Sequence, residues 1–255
     1  HPVQGGSLRL YAAPQRDRAD HAPEALAFVR EEEEAGLNRW ECYEELARKA
    51  ADHRATLRNL LEQFKATTNS RHSLPVAENL LNQKFAASAP NQIWLSDITY
   101  IPTGEGWLYL AGHKDLFTGE IVGYAMAERM TKNLVNQSFL RALAAKRPAA
   151  GLIHHSDRGS QYCALEYASL LDRFGIRASM SRKGNCYDNA PMESFWGVLK
   201  NELIHHCRYA TRREAIQDIT EYIEIFYNRQ RKQARLRFLS PATFERWCYE
   251  KRLAA

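Results

Sequence analysis

The sequence predicts a mixed α/β layer fold of five strands flanked by helices, with a helical appendage in front. Three observations predict it. From residue 91 onward, apolar β-branched runs and amphipathic runs follow one another as three strands, helix, strand, helix, strand, then helices, the order of a mixed sheet covered by helices. The charge balance changes sign along the chain. Residues 1–64 carry 9 Lys+Arg and 12 Asp+Glu, a net of −3, whereas residues 65–255 carry 26 and 18, a net of +8. Residues 65–90, rich in Ser, Thr, Asn and Ala, read as a linker between the two parts. The expected domains are therefore a helical region at 1–64, a linker at 65–90 and a core with C-terminal helices at 91–255.

In the front part, residues 1–23 hold three prolines and scattered charge and are expected to be poorly ordered. Residues 24–35 suit a helix that Gly36 ends. A second helix is expected from Asn38, with Glu41 completing a capping pattern, to about Phe64. Tyr43, Leu46, Ala50, His53, Leu57, Leu60 and Phe64 recur in steps of three and four. That stripe suits either a self-associating coiled coil or an amphipathic helix lying on its own domain.

In the second part, Ile93–Ile101 is apolar on both alternating faces, as a central strand buried on two sides should be. Trp107–Leu110 and Ile121–Ala127 continue as strands, with turns at Gly104 to Gly106 and at Thr118-Gly119. Thr131 can cap a helix to about Lys146. Leu152–His155 is a short strand, Leu165–Phe174 a helix and Ile176–Met180 a strand. The polar loop Arg182 to Asn189 leads into a helix with Pro191 in its first turn, where the missing N–H is harmless. Met192, Phe195, Trp196, Leu199 and Leu203 form that helix's apolar stripe. Thr211 and Glu214 make a capping box for a helix to about Tyr227, and Ser240-Pro241 opens the last helix.

Composition excludes several classes. No stretch is long and apolar enough to span a bilayer, and no signal peptide is visible. The chain opens on His1 and reads as a fragment or processed product. The five cysteines, Cys42, Cys163, Cys186, Cys207 and Cys248, are far apart and form no CxxC pair. That argues against zinc and disulfides and fits a reducing cytosol. His154-His155 and His205-His206-Cys207 lack partners at finger spacing and read as packing or polar residues. The basic second part suits either a solvated surface or a polyanion partner.

Three carboxylates carry the chemistry. Asp97 lies inside the apolar run Ile93–Ile101, where a carboxylate is costly unless paired or bound to a cation. Asp157 follows the strand Leu152–His155, in HHSDRGSQY, and Glu193 opens a helix, in DNAPMESFWG. Fifty-nine residues separate the first pair and 35 the second. Carboxylates converging from rigid elements suit hard divalent cations. Two such ions support in-line phosphodiester chemistry.

This D, D, 35 residues, E pattern resembles the integrase core of retroviral integrases and insertion-sequence transposases. The segments NQIWLSDITYIPTGEGWLYLAGHKDLFTGEIVGYAM, GLIHHSDRGSQY, SRKGNCYDNAPMESFWGVLKNEL and YNRQRKQARLRFLSPATFE resemble OrfB-type transposases of insertion sequence family three over roughly residues 65–249. The resemblance implies a ribonuclease-H-like fold, with Asp97, Asp157 and Glu193 as catalytic residues and ligands of Mg²⁺, for which Mn²⁺ can substitute. It implies cleavage at an element end followed by attack of the freed 3′-hydroxyl on a second phosphodiester. It also implies DNA as substrate, a homo-oligomer, a helix-turn-helix partner protein from the same element, and a cytoplasmic, DNA-associated location in a bacterium.

The DNA contacts expected beside the triad are Lys200, Arg182 and Lys183. Lys200 lies two turns beyond Glu193 on nearly the same helix face, where retroviral integrases carry a lysine that touches the DNA end. Arg182 and Lys183 precede the catalytic helix in its loop. Plain solvation is the alternative for all three. Trp196 belongs to the apolar stripe and is expected to pack. Asn185, Asp188 and Asn189 are expected to shape the loop and cap the helix, with metal assistance by Asp188 as the alternative.

The sequence departs from the family twice. Residues 1–64 are acidic where a helix-turn-helix and an Arg-rich segment are usual. After Tyr227-Asn228-Arg229 the usual His is replaced by residues such as Gln233 and Ala234. Competing readings are a metal-dependent nuclease that cuts without joining, and a truncated copy that binds DNA without transposing.

Overall fold

The computed structural model describes residues 72–253 continuously, together with scattered positions between 27 and 54. The chain divides into two compact units, His1–Lys65 and Ala66–Ala255. The described positions of the first unit are helical. The heptad-like stripe lies mostly outside the described residues.

The second unit is built on a five-stranded sheet in the order β3-β2-β1-β4-β5. The strands are β1 (Ile93–Thr103), β2 (Gly106–Asp115), β3 (Ile121–Ala127), β4 (Ile153–Ser156) and β5 (Arg177–Met180). β1 pairs with β2 antiparallel and with β4 parallel, and β4 pairs with β5 parallel. Two connected hairpins thus feed a parallel pair through helical crossovers. The helices are α1 (Lys132–Lys146), α2 (Leu165–Arg173), α3 (Ala190–Glu202), α4 (Arg212–Glu221) and α5 (Pro241–Leu253).

Alternation along β1 assigns the two faces. Ile93, Leu95 and Ile101 pack with Met192, Phe195, Trp196 and Leu199 of α3 and with Ile219 of α4. Trp94 packs on the opposite face with Val135 and Phe139 of α1 and Tyr167 of α2. Asp97 continues the odd-numbered series and so faces α3.

Two elements differ from the sequence-based expectation. β2 runs five residues past Leu110, to Asp115. Its extra residues include His113, Lys114 and Asp115, all buried. Polar side chains end a strand pattern by eye, but this strand lies between two others and buries what it carries. The helix from the Thr211–Glu214 capping box is present, but it turns into a π-helix over Tyr222–Gln230. Its buried residues, Tyr222, Ile223, Tyr227 and Asn228, recur at five, the spacing of i→i+5 turns.

Residues 72–90 fall within the expected linker. They form no helix or strand, yet they belong to the second unit and are fastened to it. Leu81 is buried. Leu80 N–H donates to Ser179 Oγ at 3.0 Å, and the His72 ring nitrogen Nε2 lies 3.0 Å from the carbonyl oxygen of Arg158. Ser, Thr, Asn and Ala content reads as a linker, and a strap held by hydrogen bonds needs little apolar surface.

The π-helix also serves the sheet. The Asn228 carboxamide accepts from Ile121 N–H and donates to Ile121 C=O, both at 3.0 Å.

Candidate active site

Asp97 stands at the middle of β1, directly opposite Gly112 of β2. Asp157 follows the last residue of the neighbouring β4. Its Oδ1 accepts from Gly159 N–H at 2.9 Å. A Cβ on Gly159 would meet that same oxygen at 3.0 Å, so a side chain there would press on the carboxylate. Glu193 lies in the first turn of α3.

The three carboxylates feel one another. Burial, and next the charge of Asp157, push Asp97 up to about 8. Glu193 is raised by burial and then by Asp157. Carboxylates from a central strand, the strand beside it and the facing helix thus share one electrostatic site. Such mutual repulsion is relieved by a cation.

The donor chemistry is that of a hard divalent cation. All three are hard oxygen ligands. Among the described residues no three Asp, Glu, His or Cys side chains close into a ready-made cage.

The other expected residues divide. Lys200 joins the site. Its Nζ lies 4.9 Å from the centre of the Tyr100 ring. Burial lowers its pKa, and the Asp97 charge opposes that shift. Lys183 is exposed in the turn after β5. Arg182 is engaged elsewhere. Its guanidinium donates to both oxygens of Asp188, at 3.0 and 2.8 Å, and its backbone N–H donates to Oδ2 at 2.7 Å. Asp188 is fully buried and also accepts from Asn79 and Gln83 of the 72–90 strap. It therefore shapes the loop, as expected, by tying it to a segment a hundred residues earlier. Its donors are amides and a guanidinium, which leaves the alternative of metal assistance without support. Asn185 caps the short 3₁₀ turn Cys186–Asn189 by accepting from Tyr187 N–H. Asn189 sits at the N-cap of α3, but its side chain donates to Ser96 C=O at 3.1 Å rather than capping the helix.

Two site residues escaped the sequence reading. Trp196 packs in the core, as expected, but its Nε1–H also donates to Asp97 Oδ2 at 3.0 Å. Lys114, only 7% exposed, donates to the Pro191 carbonyl at 2.9 Å, in the turn that carries Glu193. The signal for Lys114 is its alternation with Leu108, Leu110 and Gly112 toward α3. Trp196 follows Glu193 by three residues, which places both on one helix side.

Comparison with known proteins adds the following. An integrase core domain model matches residues 87–186, and a second integrase core domain model matches residues 193–247. The 31 kDa protein of insertion element IS600 from Shigella sonnei is 65% identical over 182 residues, 71% of this chain and 67% of that protein. The transposase for insertion sequence element IS904 from Lactococcus lactis is 52% identical, over 66% of this chain and 67% of its own length. Transposase InsF for insertion sequence IS3A from Escherichia coli is 45% identical, over 72% and 64%. The chain thus spans about two thirds of the length of these relatives. The HTLV-2 integrase catalytic core domain, solved in complex with magnesium, superposes with a TM-score of 0.50 at 17% identity. That likeness covers 63% of this chain and 99% of that one, and it shows the ribonuclease-H-like fold. The front of the chain is similar to something else: residues 2–73 match a C-methyltransferase C-terminal domain.

Proposed function

Because this chain belongs to the transposases of insertion sequence family three, built on an integrase core, we propose that Asp97, Asp157 and Glu193 hold its magnesium ions for cutting and joining DNA. The observation that carries this reading is the shared field of the three carboxylates, which raises Asp97 and Glu193. When bound, divalent ions activate the attacking oxygen and neutralise charge on the leaving one. Asp97, on the sheet's central strand, is the rigid member of the set. Water attacks a phosphodiester at the element end and its P–O bond to the 3′ oxygen breaks, leaving a 3′-hydroxyl. That hydroxyl then attacks a second phosphodiester, losing its proton and displacing another 3′ oxygen. No covalent enzyme–DNA link forms.

Lys200 contacts DNA phosphate beside the triad, and Lys183 does so from the loop. Arg182 contributes through Asp188, by holding the loop's shape, and offers DNA only its exposed outer edge. The first unit is acidic, a poor match to a surface that reads element ends. The protein's partners on this reading are DNA, further copies of the chain and a helix-turn-helix protein of the same element.

Incubation of the protein with a labelled duplex bearing a pre-cut 3′-hydroxyl, with and without Mg²⁺, tests the reading. Joined products that require the ion and Asp97 support it. Cleavage without any joining would make the protein a nuclease of the same fold.

A further inference from the structure

We propose that Trp196 is a positioning residue for the carboxylate of Asp97, and that Gly112 is the space this arrangement requires. The proposal rests on the reading of Asp97 as a metal ligand. Across the β1–β2 ladder the partner of Asp97 is Gly112. A Cβ at Gly112 would lie 3.0 Å from Cη2 of Trp196 and 3.1 Å from Cε of Met192. Each would have to give by a few tenths of an ångström, which a thioether tip does more readily than a packed indole. With glycine there, the indole lies against β2 beside Asp97 and donates Nε1–H to Oδ2 at 3.0 Å.

The ring has little freedom. Trp196 is 5% exposed, and its ring centre is 4.9 Å from that of Phe195. Together with a backbone hydrogen bond from Ile98, it fixes the rotation of the carboxylate, so that a cation meets it in one orientation. Trp196 also stands on the same helix as Glu193, one turn on. One hydrogen bond therefore sets the helix against the strand and, with it, the spacing of two carboxylates. A ring without the N–H would fill the same volume and set neither.

Binding of Mn²⁺ alone to the full chain, measured by titration calorimetry, tests this. Trp196→Phe should weaken Mn²⁺ binding by roughly 10–100-fold, with affinity for duplex DNA in EDTA unchanged. The Mn²⁺ needed for half-maximal joining of a pre-cut 3′-hydroxyl duplex should rise by the same factor. Joining at saturating Mn²⁺ should recover to within a few-fold. Gly112→Ala should shift metal binding in the same direction. If Trp196→Phe does not fold, 3-benzothienylalanine at position 196, which keeps the bicycle and replaces the N–H by sulfur, carries the measurement. Mn²⁺ affinity within twofold of the wild type in the folded variant overturns the proposal. Wild-type protein that binds no Mn²⁺, or Asp97→Asn that binds it equally well, overturns the underlying site as well.

Discussion

The Nζ of Lys114 donates to the carbonyl oxygen of Pro191 at 2.9 Å, so a buried lysine of the sheet grips the first turn of the helix that carries Glu193. Burial, with lesser contributions from Arg235 and Arg231, lowers this lysine to about 7. Its ordinary value lies near 10.5, so between pH 7 and 10.5 the unfolded chain binds the extra proton. Stability contributed at this site therefore rises with pH across that window. Lys114→Met should flatten the rise in urea unfolding and lower joining about tenfold at pH 7. An unchanged alkaline slope would count against the burial, and unchanged joining against the grip.

Asp97→Asn, Asp157→Asn and Glu193→Gln should each lower cleavage and joining on the order of 10³-fold or more, while leaving DNA binding nearly intact. Members of one site fail together, so double variants should be little worse than single ones. Additive losses in a double-variant cycle would show that the three act separately.

Asp188 accepts five hydrogen bonds, three from Arg182 and one each from Asn79 and Gln83. The Arg182 guanidinium holds its carboxyl well below the usual carboxylate range. The stability it contributes is present above about pH 4 and is lost as pH falls further. Asp188→Ala should lower Tm by several degrees and open the chain to protease between residues 182 and 189. Equal Tm and equal protease resistance would mean that the clasp is idle.

Acid should weaken the fold before that. His113 and His154 are buried against each other, and burial holds His113 well below its ordinary value and His154 down at about 3. Both are neutral in the folded chain at neutral pH. Below pH 6.5 only the unfolded chain takes up their protons, so stability falls by about 1.4 kcal/mol per pH unit for each. Urea unfolding between pH 7.5 and 5 measures this. A flat profile would mean that these rings are protonated when folded.

Lys200→Ala should weaken DNA binding about equally across sequences and flatten the log–log salt dependence by about one unit. Lys49→Ala, in the acidic first unit, should change neither. The opposite pattern would move the DNA path to the first unit despite its charge.

The three carboxylates of the proposed site stood out in the sequence because each broke its surroundings. Asp97 interrupts an apolar strand, Asp157 follows one, and Glu193 opens a helix at a telling distance. The strands and helices around them followed from period alone, save where burial hid polar residues such as His113 and Lys114 in β2. Contacts between distant segments were not legible. Nothing local tells that Asn79 and Gln83 reach Asp188, or that Arg182 turns toward it. Trp196 was read by its bulk, and its single polar atom was the part that reached the site.

Asn228 leaves a last consequence. β3 is an outer strand of the sheet, and such strands invite pairing with strands from other molecules. By offering one carbonyl and one amide to the backbone of Ile121, this side chain imitates a single residue of a sixth strand. A visiting strand at that rung would find both hydrogen-bonding positions taken. The asparagine of the Tyr-Asn-Arg motif therefore closes that rung of the outer strand from within the chain.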